Sequence, residues 1–360
     1  MRTMNNIRFI IEFVVSLSVL LFVHEFGHYI IGSLMGIKAE EFGFGYPPRL
    51  IKLFTWKGTD FTINLIPFGA FVRFSGEEDP DIVGGFYTAS KWKRLATLLA
   101  GPVMNILTGI LLFSLVISQT GAPKVDTVQI IQIAPESPAE LAGLLPMDII
   151  THIDGIEING MEEVGQLVKE RAGTKIDFGI LRNGEDLVIQ ITPRQNPPEG
   201  EGSIGIVMQN PTEKIGFIQS IPFGGKIAVE QVRQLLSVPA MLIRGEVASE
   251  EARMLSPVGI YDIYSQVRQE EESTAPDEYA PWFDTAWFFG VISVSLGFSN
   301  LLPIPALDGG RILFILPEIF LKKRVPAKYE NIIHFVGYVS LLALMGYVFY
   351  QDIFNPIVLP

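Results

Sequence analysis

The stretch LLFVHEFGHYIIG, residues 20–32, places two histidines and a glutamate inside an apolar run. The run extends from 7 to 35 and exceeds the roughly 20 residues that a helix needs to cross a membrane. Ionisable side chains such as His24, Glu25 and His28 are costly within the hydrocarbon core and are usually functional there. The stretch therefore predicts a membrane span that carries a site of chemistry.

The composition of the 360-residue chain agrees with a membrane protein and excludes several kinds of site. Hydrophobic residues make up 48% of the chain, and the mean hydropathy is +0.34. The chain has no cysteine, which excludes disulfides, thiolate metal sites and cysteine nucleophiles. Its net charge of −12, with no basic patch, argues against nucleic acid as a partner.

Four apolar segments are long enough to span a membrane. We predict these transmembrane helices at 7–35, 95–118, 282–306 and 331–354. The first segment is too long for a signal peptide and lacks a small-residue cleavage site, so we expect it to be retained.

The distribution of lysine and arginine predicts the orientation of these spans. The loops 36–94 and 305–330 are rich in basic residues, whereas few precede the first span and none follows Lys328. Basic loops remain in the cytoplasm. We therefore expect both termini and the long segment 119–281 to lie outside the cytoplasm, with His24 and His28 toward the cytoplasmic end of their helix.

The segment between the second and third spans predicts a separate domain. Residues 122–195 contain short alternating strands and an Asn183-Gly184 hairpin turn, which indicate a small β-rich domain. Residues 196–281 are predicted as a linker that carries an amphipathic helix on the membrane surface and an acidic, solvated stretch at 268–278. The parts 1–118 and 282–360 then form the two halves of the membrane core.

The segment 59–77, on the predicted cytoplasmic side, is apolar and typical of a strand, and Pro67 and Gly69 interrupt it. Two interpretations remain open. It is either a β-hairpin associated with the membrane beside the first helix, whose free edge could pair with an unwound substrate, or an ordinary surface hairpin.

The spacing of the histidines predicts a metal site. His24 and His28 lie four residues apart and share one helix face, while Glu25 can reach a water bound to the same metal. Two imidazoles suit Zn²⁺, which takes a third protein ligand in hydrolytic sites. Glu12 lies too far along the helix, and Asp308 follows a proline-broken helix end, so we predict Asp308 as the third ligand. Of the remaining histidines, His152 is expected to be a surface or packed residue, and His334, at the start of the fourth span, an interface or packing residue.

Five motifs carry a resemblance to a known family, and a sixth run resembles a PDZ domain of bacterial proteases. The motifs are HEFGH (24–28), GPVMN (101–105), NLLPIPALDGG (300–310), GTDFTINLIPFGAFVRFSGE (58–77) and SPVGIYDI (256–263), and the PDZ-like run begins SPAELAGL (137–144). The chain thus resembles the site-2 protease family of intramembrane zinc metalloproteases, peptidase family M50. Within it, the chain is similar to the bacterial regulator-of-sigma-E-protease type with a single PDZ domain. Met147 stands where such PDZ domains have glycine, and Ala70 and Ser295 also depart from the family pattern.

The predicted fold class follows from the apolar segments and from the family resemblance. We expect a polytopic α-helical membrane protein, with four transmembrane helices and a membrane-associated β-hairpin, plus an extracytoplasmic β-rich PDZ domain. The resemblance implies a bacterial inner membrane, with the active site toward the cytoplasmic side.

The resemblance also implies a function and further site residues. The protein would be a zinc metalloendopeptidase that cuts within or near the transmembrane segment of single-span proteins, such as anti-sigma factors or remnant signal peptides. His24, His28 and Asp308 would hold Zn²⁺ and Glu25 would be the base, while Asn105 and Asn300 would bind the substrate or its oxyanion. The loop of Ile66, Pro67, Phe68 and Gly69 would hold the substrate strand. The PDZ domain would bind peptides or admit only substrates trimmed beforehand by another protease.

Two other classes of function were weighed. A catalytically silent membrane adaptor with a PDZ domain has no need of Glu25 beside the metal ligands. A metal transporter would need more intramembrane histidine and aspartate along a pathway.

Overall fold

The computed structural model describes residues 2–77, 82–198, 200–247, 253–274 and 282–355. It divides into two compact units. One comprises Met1–Val116 with Ile221–Pro360, and the other comprises Ile117–Ser220.

The first unit is built mainly from long helices around a pair of strands. In chain order these elements are α1 (Arg2–Leu34), β1 (Ala39–Trp56), β2 (Thr59–Phe74), α2 (Lys91–Thr120), α5 (Phe217–Arg244), α6 (Pro257–Thr274), α7 (Phe283–Leu301), α8 (Asp308–Phe320) and α9 (Ala327–Phe354).

Among the described residues, three helices are long and apolar enough to cross a membrane. They cover Ile7–Leu34, Lys91–Thr120 and Ala327–Phe354. The predicted span over 282–306 is not one of them, so the count of four spans is not confirmed. Pro303 and Pro305 have no N–H for helix hydrogen bonds, and α7 accordingly ends at Leu301. The chain then begins a new helix at Asp308.

Strands β1 and β2 are long and bent, so that two strands form a sheet of four rows, in which the two middle rows run parallel to each other and each outer row is antiparallel to its neighbour. Phe42 pairs with both Val72 and Phe61, while Ile51 pairs with Ile63 from the other side. The rows therefore run in the order 70–74, 39–44, 59–63 and 51–56. Within the segment 59–77, the row 70–74 keeps a free edge, whereas the row 59–63 has a partner on each side.

The inner face of these strands packs on α1. Phe42 is fully buried, and its ring lies 5.4 Å from that of Phe22 and 5.5 Å from that of Tyr29. The outer row instead exposes large apolar side chains: Leu50, Ile51, Leu53, Phe54 and Trp56. An exposed apolar patch of this kind marks a surface that contacts a membrane or a partner.

Helix α6 replaces part of the predicted linker. The acidic stretch at 268–278 was expected to be solvated, but α6 continues to Thr274, and Arg268 and Glu271 are buried. Tyr264 of α6 donates a hydrogen bond to Glu12 of α1 over 3.1 Å. The residues 275–278 lie outside the described part of the chain. This segment is helical because its apolar face, with Tyr264 fully buried, packs on α1.

Helix α5, predicted as amphipathic, packs one face against two other helices. A Cβ built at Gly224 would lie 2.6 Å from the carbonyl oxygen of Ile110 in α2, so the two backbones are in close contact. Gln231 donates hydrogen bonds to the carbonyl of Val291 and to Ser295 of α7, over 2.8 and 2.9 Å. Ser295, which departs from the family pattern, is therefore a hydrogen-bond partner of α5.

The second unit is a β-rich domain. Its elements are β3 (Ala122–Pro123), β4 (Val128–Ile133), α3 (Pro138–Ala142), β5 (Ile149–Ile153), β6 (Ile156–Glu157), α4 (Met161–Glu170), β7 (Ile176–Arg182), β8 (Glu185–Ile191), β9 (Ile206–Gln209) and β10 (Thr212–Glu213). One sheet has the order β8-β7-β5-β4-β9, with β6 paired to β5. Its core is aliphatic apart from Phe178 and includes Val164 of α4.

The β-rich domain extends beyond its predicted end at 195. Strand β9 pairs with β4, so residues 206–209 belong to the same sheet. The Pro/Gly-rich segment that was predicted as a linker folds back on the domain, because Arg194 donates its backbone N–H to the carbonyl of Ser203 over 2.7 Å. Composition alone does not distinguish such a loop from a linker.

The Met147 backbone gives a stability prediction for the second unit. Its φ is 76°, a region that disfavours a residue with a Cβ, and its side chain is 68% exposed. We expect Met147→Gly to raise the free energy of unfolding of this unit by about 0.5–1 kcal/mol. Hydrogen exchange of the core amides in the full-length protein measures this change. Met147→Ala is the control, since it keeps the Cβ, and equal protection in the Gly and Ala variants would contradict the prediction.

Candidate metal centre

His24 and His28 project from the same face of α1, as their spacing predicts. Both side chains are buried, with 7% and 6% exposed. Their Nε2 atoms lie 3.1 Å apart. The Oδ2 atom of Asp308 lies 3.1 Å from Nε2 of His24 and 3.3 Å from Nε2 of His28. The structure thus brings together the three residues that the sequence predicts as ligands.

These separations fit a zinc ion. Zn²⁺ holds nitrogen and oxygen ligands tetrahedrally at about 2.0–2.1 Å, which separates neighbouring ligand atoms by about 3.3 Å. The buried Oδ2 of Asp308 has no hydrogen-bond partner among the described residues. A carboxylate oxygen that faces two imidazole nitrogens without a hydrogen bond is suited to share a cation with them. The donor set therefore fits Zn²⁺ with one position left for water or substrate.

Asp308 reaches the histidines because α8 begins directly beneath the end of α7. A Cβ at Gly309 would lie 2.2 Å from the carbonyl oxygen of Leu302, and one at Gly310 would lie 2.3 Å from that of Ile304. Only glycine allows this contact, which explains the two glycines after Asp308. The carboxylate also lies in the first turn of α8, where the helix dipole favours negative charge.

Helix α2 holds the ring of His28 from behind. Nδ1 of His28 lies 2.7 Å from the carbonyl oxygen of Thr97, so Nδ1 carries a proton and donates it. This tautomer leaves the Nε2 lone pair free for a metal. A Cβ at Gly101 would lie only 2.2 Å from Nε2 of His28, so the imidazole occupies the space above this glycine.

Asn105 occupies the corresponding position behind His24. The Asn105 side chain is fully buried, and its amide lies 3.4 Å from Nδ1 of His24, with Nδ2 assigned as the nearer atom. Its Oδ1 has no partner among the described residues. Exchanging the two amide atoms lets Oδ1 accept the Nδ1 proton and frees Nε2 of His24 for a metal. Asn105 thus contacts a candidate ligand histidine, and its contact with the substrate or its oxyanion stays a prediction.

Glu25 lies at the edge of the site. Its Oε2 accepts a hydrogen bond from the backbone N–H of Val72, in the free edge of β2, over 3.1 Å. Glu25, His28 and Asp308 all line a cavity of about 210 Å³. The cavity has room for several water molecules and holds polar groups that can bind them.

The other predicted site residues have diverse environments. Asn300, in the last turn of α7, is half-buried and has no side-chain hydrogen bond in the described part of the chain. Ile66 is exposed, Phe68 packs with α1 and α6, and the N–H of Gly69 donates to Ser18 of α1. His152 lies in β5 of the second unit.

Thr97 and Gly101 were not predicted as site residues. Together with Asn105 they form a stripe at intervals of four on α2, opposite the histidines at the same interval on α1. Small or polar residues at helical spacing within an apolar span indicate a close helix contact. That pattern predicts Gly101 as a residue of a close helix contact. The role of Thr97 could not be predicted in this way, because its backbone carbonyl, and not its side chain, contacts His28.

Comparison with known proteins finds a matching family model and several similar zinc metalloproteases, in agreement with the geometry of the site. The family model described as peptidase family M50 matches residues 12–344. The chain is 30% identical over 372 residues to a Mesorhizobium japonicum protein provisionally named zinc metalloprotease mll0638, covering 96% of this chain and 98% of that one. It is 28% identical over 434 residues to the zinc metalloprotease RasP of Oceanobacillus iheyensis, covering 96% and 98%. A Brucella suis protein with a provisional zinc metalloprotease name is 29% identical over 370 residues, covering 96% and 95%.

The contact between Gly101 and His28 gives a testable prediction. We expect Gly101→Ala to weaken zinc binding at least about tenfold, the size of effect seen when the support of a metal ligand is lost. The added methyl group would displace the imidazole of His28. Zinc affinity of the purified protein, measured by competition with a chelator, tests this prediction. Gly346→Ala is the control, because a Cβ there meets no atom within 4 Å. Equal affinities of both variants would contradict it.

Proposed function

Since the chain belongs to peptidase family M50 and is a membrane zinc metalloprotease, we propose that it hydrolyses peptide bonds within or near the transmembrane segment of single-span proteins. His24, His28 and Asp308 would hold the zinc, and Glu25 would act as the base. The proposal is carried by the tetrahedral separations of His24, His28 and Asp308, with both histidines on a helix apolar enough to span a membrane. A site at this position would meet peptide bonds that soluble proteases cannot reach.

Glu25 would move the protons of the reaction. When bound, Zn²⁺ lowers the pKa of a coordinated water and polarises the substrate carbonyl. The bond from Val72 fixes Oε2 of Glu25 and leaves Oε1 to accept the proton of the attacking water. The water oxygen adds to the carbonyl carbon. Glu25 then returns the proton to the amide nitrogen, the C–N bond breaks, and the second proton of the water passes to the amine, so that a carboxylate and an ammonium group are released.

The free edge at 70–74 is proposed to hold the substrate. A helical substrate hides its carbonyls in its own hydrogen bonds and must unwind before hydrolysis. An unwound segment can add to a strand edge through backbone hydrogen bonds. The N–H of Val72 points away from β1 and reaches Glu25, so this edge lies beside the base. The same edge would thus carry the scissile bond to the site.

The second unit is proposed to be a PDZ domain that gates access. It has the small sheet and flanking helices expected from its PDZ-like run, and the ends of its sheet, β8 and β9, are edge strands to which an extended peptide could add. We further propose that it lies outside the cytoplasm, as the basic loops indicate. It would admit single-span proteins already trimmed by another protease, such as anti-sigma factors or remnant signal peptides. The active site would face the cytoplasmic side of a bacterial inner membrane.

Replacement of the proposed base tests the function. We expect Glu25→Gln to slow cleavage of a tagged single-span substrate by about 10³-fold, within the usual range for a general acid–base group. Zinc binding should persist, because Glu25 is not among the three converging ligand residues. Cleavage in membranes and the zinc content of the same preparation are the two measurements.

Glu12→Gln is the matched control, because Glu12 lies on the same helix three turns before the site. It should cleave at nearly the wild-type rate. If Glu25→Gln retains both zinc and normal cleavage, the proposed protease mechanism is wrong. If the wild type binds zinc but cleaves no single-span substrate, the chain would act as an adaptor.

The need for unwinding gives a prediction about the substrate. Glycine favours helix less than alanine by about 0.8–1 kcal/mol and leucine ranks just below alanine, so Gly→Leu near the cut should slow cleavage about threefold to fivefold for each replacement. Initial rates on matched substrates that differ at one or two such positions measure this effect. A Leu→Ile exchange at a neighbouring position serves as the control. Equal rates for glycine and leucine substrates would indicate that unwinding does not limit the reaction.

A further inference from the structure

The loop 302–307 decides where Asp308 lies. It joins α7 to α8, and Asp308 is the first residue of α8. Ala306, two residues before the carboxylate, has φ of 80°, a conformation that costs a residue with a Cβ about 1 kcal/mol or more. A strained residue persists only where surrounding contacts hold it. The structure must therefore contain contacts that hold Ala306.

His334 of α9 makes such a contact. Its Nδ1 accepts a hydrogen bond from the backbone N–H of Ala306 over 3.0 Å. An imidazole whose Nδ1 accepts is neutral and carries its proton on Nε2. Pro303 and Pro305 have no N–H, so the loop has few donors by which a neighbouring helix can hold it. This bond acts on the peptide unit whose conformation is strained.

The face of α9 that carries His334 packs closely against the loop 302–307 and α8. A Cβ at Gly337, one turn after His334, would lie 2.3 Å from Cβ of Pro305. The ring of His334 lies 5.3 Å from that of Phe314 in α8. The glycine thus lets α9 approach closely enough for the His334 bond to form.

We propose that His334 is a positioning residue for the metal centre. By holding Ala306 in its strained conformation, it sets the start of α8 and so places the Asp308 carboxylate against His24 and His28. His334 itself touches neither the metal ligands nor the substrate. From the sequence, His334 was expected to be an interface or packing residue. The inference rests on the proposed zinc site at His24, His28 and Asp308.

Two substitutions of His334 distinguish the effect of its hydrogen bond from the effect of its packing. Asparagine can place its Oδ1 near the position of Nδ1 and keeps the acceptor, whereas leucine removes it. We expect His334→Leu to weaken zinc binding of the full-length protein about tenfold, as for other residues that orient metal ligands. His334→Asn should bind within about threefold of wild type, since it keeps the bond. Competition against a chromophoric chelator measures the zinc affinity, and the melting temperature of the zinc-free protein reports general damage.

A rescue by glycine tests the strain itself. Glycine adopts positive φ without cost, so Ala306→Gly in the His334→Leu protein should recover most of the lost zinc affinity. A role in packing alone would not be rescued by a change in the loop. Should the leucine variant fail to fold, His334→Gln is used in its place. The side-chain oxygen of glutamine lies one bond further from the backbone than Nδ1 of histidine, so it does not occupy the same position.

The outcomes distinguish this inference from the proposed function. Equal zinc affinity in the wild type, His334→Leu and His334→Asn overturns the positioning role. Equal losses in both variants with no rescue by Ala306→Gly overturn it as well and indicate packing. If zinc binding in the wild type does not depend on His24, as His24→Ala would show, the proposed zinc site is wrong instead.

Discussion

The proposed metal centre depends on holding three electron-pair donors together in a buried place. Nε2 of His24, Nε2 of His28 and Oδ2 of Asp308 lie 3.1–3.3 Å apart. Without a cation, such groups gain little from one another and lose their hydration. The surrounding structure must therefore impose the arrangement before a metal binds, which is what preorganisation of a metal site requires.

Glycine is the means by which the helices impose this arrangement. Gly101 lets α2 touch the ring of His28, Gly309 and Gly310 let α8 begin against the end of α7, and Gly337 lets α9 reach the loop between them. In a membrane, helix association depends on such close packing, because lipid supplies no hydrophobic drive between helices. The residues that stabilise the fold here are thus also those that fix the ligand geometry.

The sequence predicts the parts of this site that follow from local periodicity. The spacing of His24 and His28 fixes their common face once the helix is given, and the prolines before Asp308 predict a helix break. The position of Asn105 behind His24 could not be predicted, because it depends on how two helices cross. The pairing of β1 with two rows of β2 also depends on tertiary contacts, since bends reassign partners without changing the local pattern.

The bond between Val72 and Glu25 joins two requirements of the proposed intramembrane protease. A strand edge exposes N–H groups that need partners, and a buried carboxylate needs donors. Here each satisfies the other, since the Val72 N–H donates to Oε2 of Glu25. A substrate strand that adds to residues 70–74 would therefore pair directly beside the base and would be placed by the same backbone that orients it. No separate binding element would then be needed to align the scissile bond with Glu25, because one strand positions both the substrate and the base.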